Sequence, residues 1–171
     1  MDLEVRDASP ADAEALARIY AHYVTTTTAT FELEPPAPLA WAEKLEAITG
    51  AGWPFLVASL EGAVVGFAYV APWRTRPAYA RTVEDSIYLA PEAVGRGVGA
   101  RLLEALLDRA ERAGAREVIA VVADGDAAAS LALHERAGFE RAGRLERVGF
   151  KFDRWLGTTL LQRSLGQPPG A

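Results

Sequence analysis

Residues 82–89 read Thr-Val-Glu-Asp-Ser-Ile-Tyr-Leu, residues 95–99 read Gly-Arg-Gly-Val-Gly, and a helix-patterned run begins at once. The first stretch has the β-branched and aromatic content of a strand, with Val83, Asp85, Ile87 and Leu89 alternating against Glu84, Ser86 and Tyr88. Pro91 ends its pairing, because proline has no N–H to give a ladder. Beyond the glycines, Leu102, Leu103, Leu106, Leu107 and Ala110 make one apolar helical stripe. A glycine turn that opens a helix leaves several backbone N–H groups aimed at one spot, at the positive end of the helix dipole. Strand, turn and helix together predict a seat for a phosphorylated cofactor, with its reactive end along the strand near Glu84.

The glycine spacing narrows the choice. No Lys-Ser/Thr pair follows as a P-loop requires, and Gly95, Gly97 and Gly99 give Gly-x-Gly-x-Gly rather than the dinucleotide spacing. By itself such a run is equally a plain tight turn. In its setting it resembles motif A of the GNAT N-acetyltransferase superfamily. That resemblance implies acetyl-CoA as co-substrate, its pyrophosphate held by the turn. The cofactor residues it implies are Ile87, Tyr88, Leu89, Gly95, Arg96, Gly97, Val98, Gly99, Ala100 and Ser130. Two positions depart from the pattern: Val94 stands where the superfamily has Arg or Gln, and Ala127 where it has Asn. Asp124 and Asp126 are the nearby polar residues available to compensate for the latter.

Further segments, in order along the chain, carry a narrower resemblance. Thr27–Glu32, Pro54–Ala58, Trp73-Arg-Thr-Arg76, Thr82–Glu84, Ala129–Glu135, Gly138-Phe139 and Val148–Trp155 are similar to the phosphinothricin and methionine sulfoximine N-acetyltransferases. The implied fold is α/β: a mixed, twisted sheet of about seven strands with helices on both faces. The fourth and fifth strands should splay apart to admit the pantetheine arm, which would bond a free strand edge. The family also implies a homodimer.

Composition sets the outer limits. The chain has 171 residues, 50% of them apolar, which suits one domain, assigned to residues 1–165 with a flexible tail at 166–171. A net charge of −5 argues against a nucleic-acid partner. No run approaches the ~18 apolar residues of a membrane helix, so no membrane partner is expected and a cytoplasmic location is the default. Cysteine is absent, and two histidines, His22 and His134, are too few to suggest a metal site.

The remaining elements follow from local pattern. Residues 3–7 read as a strand; Ser9-Pro10-Ala11-Asp12 starts a helix through Val24, and the threonines after it end that helix. A second helix is expected over 39–49, a hairpin over 55–60 and 63–71, and a loop over 72–80. A helix over 98–113, a strand over 117–122, a helix over 128–137 and strands over 139–148 and 150–163 complete the reading.

Amine acetylation needs a neutral nitrogen, hence a base to take the ammonium proton. Glu84 lies where the resembled family has its catalytic glutamate; the alternative is a solvated strand carboxylate. Asp85 points to the opposite face by alternation and is the weaker candidate. His134 stands where a general acid would protonate the leaving thiolate, or it simply packs against the cofactor helix. The acceptor site implied by the resemblance comprises Phe31, Glu32, Arg74, Thr75, Arg76, Glu84, Asp85 and Ser86, a small-molecule amine or amino acid being the ligand. Guanidinium forks at Arg74 and Arg76 suit a carboxylate or phosphinate, although exposed arginines are commonly just solvated. Phe31 is equally open to a core role, Ser130 to helix packing, and Lys151 and Trp155 to packing of the last strand pair. Two rival functions stay open: acetylation of another amine (a polyamine, an aminoglycoside or a protein N-terminus), and a CoA-binding module without turnover.

Overall fold

Alternating runs of Val, Phe, Tyr and Leu give seven strands that join in one sheet; the computed structural model describes residues 2–166. The elements are β1 (Leu3–Asp7), α1 (Ala13–Thr26), α2 (Pro38–Gly50), β2 (Phe55–Leu60), β3 (Ala63–Pro72), β4 (Thr82–Leu89), α3 (Val98–Arg112), β5 (Glu117–Ala123), α4 (Ala128–Arg136), β6 (Glu140–Lys151) and β7 (Arg154–Ser164). The strand order is β1-β2-β3-β4-β5-β7-β6. Among the described residues only β4 and β5 pair in parallel, which the intervening α3 crossover makes possible. Of the tail assigned to 166–171, all but Gly166 lies outside the described residues.

Register shows which side chains share a face. Phe67 pairs with Tyr88, Tyr69 with Ser86 and Ala71 with Glu84, so all six side chains lie on one face. There Tyr20 of α1 and Trp41 of α2 meet edge to face, their centroids 5.0 Å apart, and Trp41 also meets Phe67 at 5.1 Å. The opposite face carries Val83, Asp85, Ile87 and Leu89 toward α3 and α4. A Cβ placed on Gly66 of that face would lie 2.6 Å from a Leu89 methyl and 3.3 Å from the Tyr88 carbonyl, so a larger residue would displace the Leu89 side chain. Leu102, Leu103 and Leu106 are fully buried, as the apolar stripe of α3 requires.

Local chemistry sets the boundaries. At the start of the first helical segment the Asp12 carboxylate accepts from the Ser9 N–H at 2.8 Å, and Arg6 forks onto Asp12 at 2.9 Å through both nitrogens. Helix α1 runs two residues into the threonines, because Thr25 and Thr26 donate their hydroxyls to the carbonyls four residues earlier. The expected break between the last two strands, near Gly149, is not there. β6 continues to Lys151, and the turn falls at Phe152-Asp153, both with positive φ. Gly149 instead makes room for a neighbour, since a Cβ there would overlap the ring of Phe31.

The β4–β5 ladder decides where the site lies. Thr82, Val83 and Glu84 pair with Glu117, Val118 and Ile119, and pairing stops there. From Asp85 onward the strands diverge, so the backbone edge of β4 has no strand partner over residues 85–89, as the resemblance implied; at its far end the Leu89 carbonyl accepts from the Tyr23 hydroxyl at 2.5 Å.

Candidate active site

The divergence opens a cleft of about 630 Å³ that passes through the sheet. Its walls are β4 from Glu84 to Leu89, β5 from Ala120 to Ala123, the glycine turn, and α4. Of the residues singled out from sequence, the cleft gathers Phe31, Glu84, Asp85, Ser86, Ile87, Tyr88, Leu89, Gly95, Gly97, Gly99, Ala100, Ser130 and His134. Glu32, Arg74, Thr75, Arg76, Arg96 and Val98 do not line it, and Val98 is fully buried in the core.

At the turn, Gly95 and Gly97 adopt φ of +77° and +79°, a region closed to most L residues. Apart from the adjoining residues, no atom of the described residues lies within 4 Å of where a Cβ at either position would sit, so the turn is open on its outer side. The ladder of α3 begins where the Arg101 N–H meets the Gly97 carbonyl at 3.3 Å, and the amides before it have no intrahelical acceptor. Gly99 instead serves packing, since its Cβ would meet Leu89 at 3.3 Å and Leu133 at 3.5 Å. Turn amides, helix dipole and the free edge of β4 fit a ligand with a polar phosphate end and an extended amide arm.

Glu84 is half-buried on the face that also carries Tyr69 and Ser86. Burial raises its carboxyl above the ordinary glutamate value, Asp85 pushes the same way, and Arg74 and Lys44 oppose in part. A carboxylate made more basic in this way is suited to accept a proton near neutrality. Arg74 itself stacks over Trp73, 4.3 Å from the ring centroid, and Lys44 lies 4.7 Å from the Tyr69 ring. Both cations are exposed beside Glu84 rather than inside the cleft.

Asp85 and His134 correct two expectations. Asp85 does face away from Glu84, yet it also reaches the cleft, because the cleft runs between strands rather than over one face. There its Oδ2 meets His134 Nε2 at 2.8 Å, with the two side chains 1% and 4% exposed. Buried and bound to an imidazole, Asp85 is not placed to grip an acceptor. Nδ1 of His134 donates to the Ser130 carbonyl at 2.8 Å, since a carbonyl can only accept. Neither ring nitrogen is thus left to donate to a thiolate, and the direct general-acid role expected for His134 does not fit. Burial pulls the imidazole down, but the Asp85 hydrogen bond and charge and the Ser130 carbonyl outweigh it, so the net shift is upward. With Nδ1 donating to Ser130, the Nε2–Oδ2 contact requires a proton shared between the two atoms, and among the described residues Asp85 Oδ1 has no hydrogen-bond partner.

Other nearby groups are committed elsewhere. Asp124 is forked by Arg144 at 2.8 Å on both oxygens and accepts from the Gly157 N–H at 2.9 Å; its carboxyl drops to about 2. It therefore does not replace the side chain missing at Ala127, whereas Asp126 lines the cleft. Lys151 is buried and donates to the Thr30 carbonyl at 2.8 Å, tying β6 to the loop that carries Phe31. The sequence reading missed the β5 wall, Tyr23 and Thr27 at the end of α1, Arg136 in the last turn of α4, and Thr158 of β7. The implied splay pointed to the β5 wall. Nothing local marks Thr158, which arrives only through the β5–β7 register with Ala123.

Comparison with known proteins agrees with this geometry. The profile of the Acetyltransferase (GNAT) family matches residues 16–139. Phosphinothricin N-acetyltransferase of Alcaligenes faecalis is 47% identical over 154 residues, covering 90% of this chain and 78% of that protein. The L-methionine sulfoximine/L-methionine sulfone acetyltransferase of Pseudomonas aeruginosa is 39% identical, with 96% of each covered. The crystal structure of a GNAT superfamily phosphinothricin acetyltransferase from Sinorhizobium meliloti, in complex with acetyl-CoA, superposes with a TM-score of 0.94. It is 44% identical, and the match covers 100% of this chain and 92% of that one. A seven-stranded mixed sheet split between β4 and β5, a glycine turn opening α3, and relatives of this closeness establish that the chain belongs to the GNAT acetyltransferase family.

Proposed function

We propose that this acetyltransferase moves an acetyl group from acetyl-CoA to the α-amine of a small amino acid whose side group bears a phosphinate, sulfoximine or sulfone oxygen. The observation that carries the reading is Glu84: a half-buried carboxylate of raised basicity at the point where the sheet splits, with Arg74 and Lys44 on its flank. A thioester donor supplies the acyl group. The amides of the glycine turn hold its phosphates, and the edge of β4 over residues 85–89 bonds its arm. Glu84, directly or through one water, takes a proton from the acceptor ammonium, and the freed amine forms the C–N bond as the C–S bond breaks. Arg74, with Lys44 beside it, binds the acceptor's anionic group and so presents its amine to Glu84. His134 acts as a positioning residue, fixing β4 to α4 and holding positive charge against the cleft wall.

The cations beside Glu84, Arg74 and Lys44, disfavour polycationic acceptors such as polyamines or aminoglycosides. We further infer a homodimer, supported by the exposed apolar strip of Leu145, Val148, Phe150, Phe152 and Trp155 on the β6–β7 hairpin. Use of acetyl-CoA goes with a cytoplasmic location.

The test is Glu84→Gln, assayed by thiol release with phosphinothricin, methionine sulfoximine and the twenty amino acids as acceptors. Turnover should fall about 10²–10⁴-fold, the span of a positioned general base. The acid limb of the wild-type rate profile, set above the ordinary glutamate range, should disappear, and acetyl-CoA binding should stay unchanged. A Gln variant retaining more than about a third of the rate would remove Glu84 as the base.

A further inference from the structure

Arg136 is the one Arg or Lys among the described residues lining the cleft; the carboxylates there are Glu84, Asp85 and Asp126. A donor with several phosphate charges must therefore enter an acidic protein, of net charge −5, past a wall whose other cationic group, His134, is buried against Asp85. Arg136 ends α4 and shares the cleft wall with Gly95, Gly97 and Ala100. It is exposed, and among the described residues its guanidinium forms no hydrogen bond or ion pair. Its neighbour Glu135 is already taken by Arg141 at 2.8 Å.

The surroundings tell which way the guanidinium is needed. Behind Ala100 and Leu133 lies a second concavity, bordered by Arg136, Glu104, Asp108, Glu111 and Arg163, the last donating to the Ala137 carbonyl. Asp108 is paired with Arg112 at 2.9 Å, and the carboxylates on that side would repel a phosphate. On the cleft side, next to Arg136, stand the amides of the turn and the Ser130 hydroxyl, while Val94 and Ala127 contribute no donor from their side chains. Amides orient an anion but carry no net charge. We propose that Arg136 binds the phosphates of the acyl donor and supplies the cationic contact that the backbone cradle lacks. This rests on the assignment of acetyl-CoA as donor.

Calorimetric titration of wild type, Arg136→Gln and Arg136→Lys with acetyl-CoA, 3′-dephospho-acetyl-CoA and the phosphate-free thioester S-acetylpantetheine tests it. Arg136→Gln should weaken acetyl-CoA binding about tenfold, close to 1.4 kcal/mol. Binding of S-acetylpantetheine should not change, and Arg136→Lys should recover most of the loss. The wild-type advantage should also shrink as salt is raised. A loss that persists with the dephospho compound assigns the contact to the pyrophosphate, and one that vanishes assigns it to the 3′-phosphate; both support the proposal. Acetyl-CoA affinity within twofold of wild type, or equal weakening of the phosphate-free thioester, overturns it. Failure of the wild type to bind any of the three would instead defeat the donor assignment, and the Arg136 proposal with it.

Discussion

Asp85→Asn separates a charged buried pair from a merely packed one. The wild-type carboxylate and imidazole are 1% and 4% exposed and 2.8 Å apart, with Nδ1–H already bound to the Ser130 carbonyl. Below the pKa of an unfolded histidine, about 6.5, the folded protein holds an imidazolium against a carboxylate. Because the folded value is raised, this stabilisation is complete below about 6.5 and is lost as pH climbs through the folded value. Asparagine reverses the sign. It has no charge to oppose burial, so the imidazole's folded value drops, and acid then destabilises the variant. Removing one partner of a buried pair costs about 3–5 kcal/mol. For a chain of this length each kcal/mol moves the melting temperature by roughly 2–4 °C, giving a deficit of about 6–20 °C near pH 5.5. Above the folded pKa, the asparagine amide donates to the neutral Nε2, and the deficit should shrink to about 1 kcal/mol, the worth of an ordinary hydrogen bond. Thermal melts across pH 5.5–9 measure the gap, and with only two histidines in the chain the His134 titration can be followed directly by NMR. Parallel melting curves, with the same deficit at every pH, would refute a shared proton between Asp85 and His134.

Two further outcomes concern the ligands. Arg74→Lys keeps the charge but loses the fork, so KM for an amino-acid acceptor should rise about tenfold, near 1.4 kcal/mol, while KM for acetyl-CoA holds; equal losses for charged and uncharged acceptors would make Arg74 structural. Gly97→Val forces a β-branched residue to φ +79°, at about 1–3 kcal/mol of strain, and covers the open side of the turn. Titration should show acetyl-CoA affinity lowered at least about tenfold, and a folded variant that binds as wild type does would remove the turn from the site.

Much of this was legible in the chain. The strand over 82–89, the α3 stripe and the hairpin about Glu61-Gly62 appear where residue type and periodicity put them, since each is a local signal. The errors came where a local signal had a distant cause. Gly149 reads as a turn, but its missing side chain makes room for Phe31, more than a hundred residues earlier. Alternation correctly assigned Asp85 to the far face, yet gave no hint of His134, 49 residues on, which claims its carboxylate. Asp124 was similarly claimed by Arg144, which reaches it from β6. Sequence shows which side of an element a residue takes, while packing decides its neighbour.

The three-pair seam between β4 and β5 has a mechanical meaning. It divides the sheet into two leaves, β1-β2-β3-β4 and β5-β7-β6, joined edge to edge only over Thr82–Glu84 and Glu117–Ile119. A molecule seated in the wedge bonds to one leaf and rests on the other, so it works as a splint as well as a reactant. Glu84 sits in the last pair of the seam, where any change in the angle between the leaves is felt first. Filling the wedge would then stiffen the mount of Glu84, coupling arrival of the donor to alignment of the proposed base.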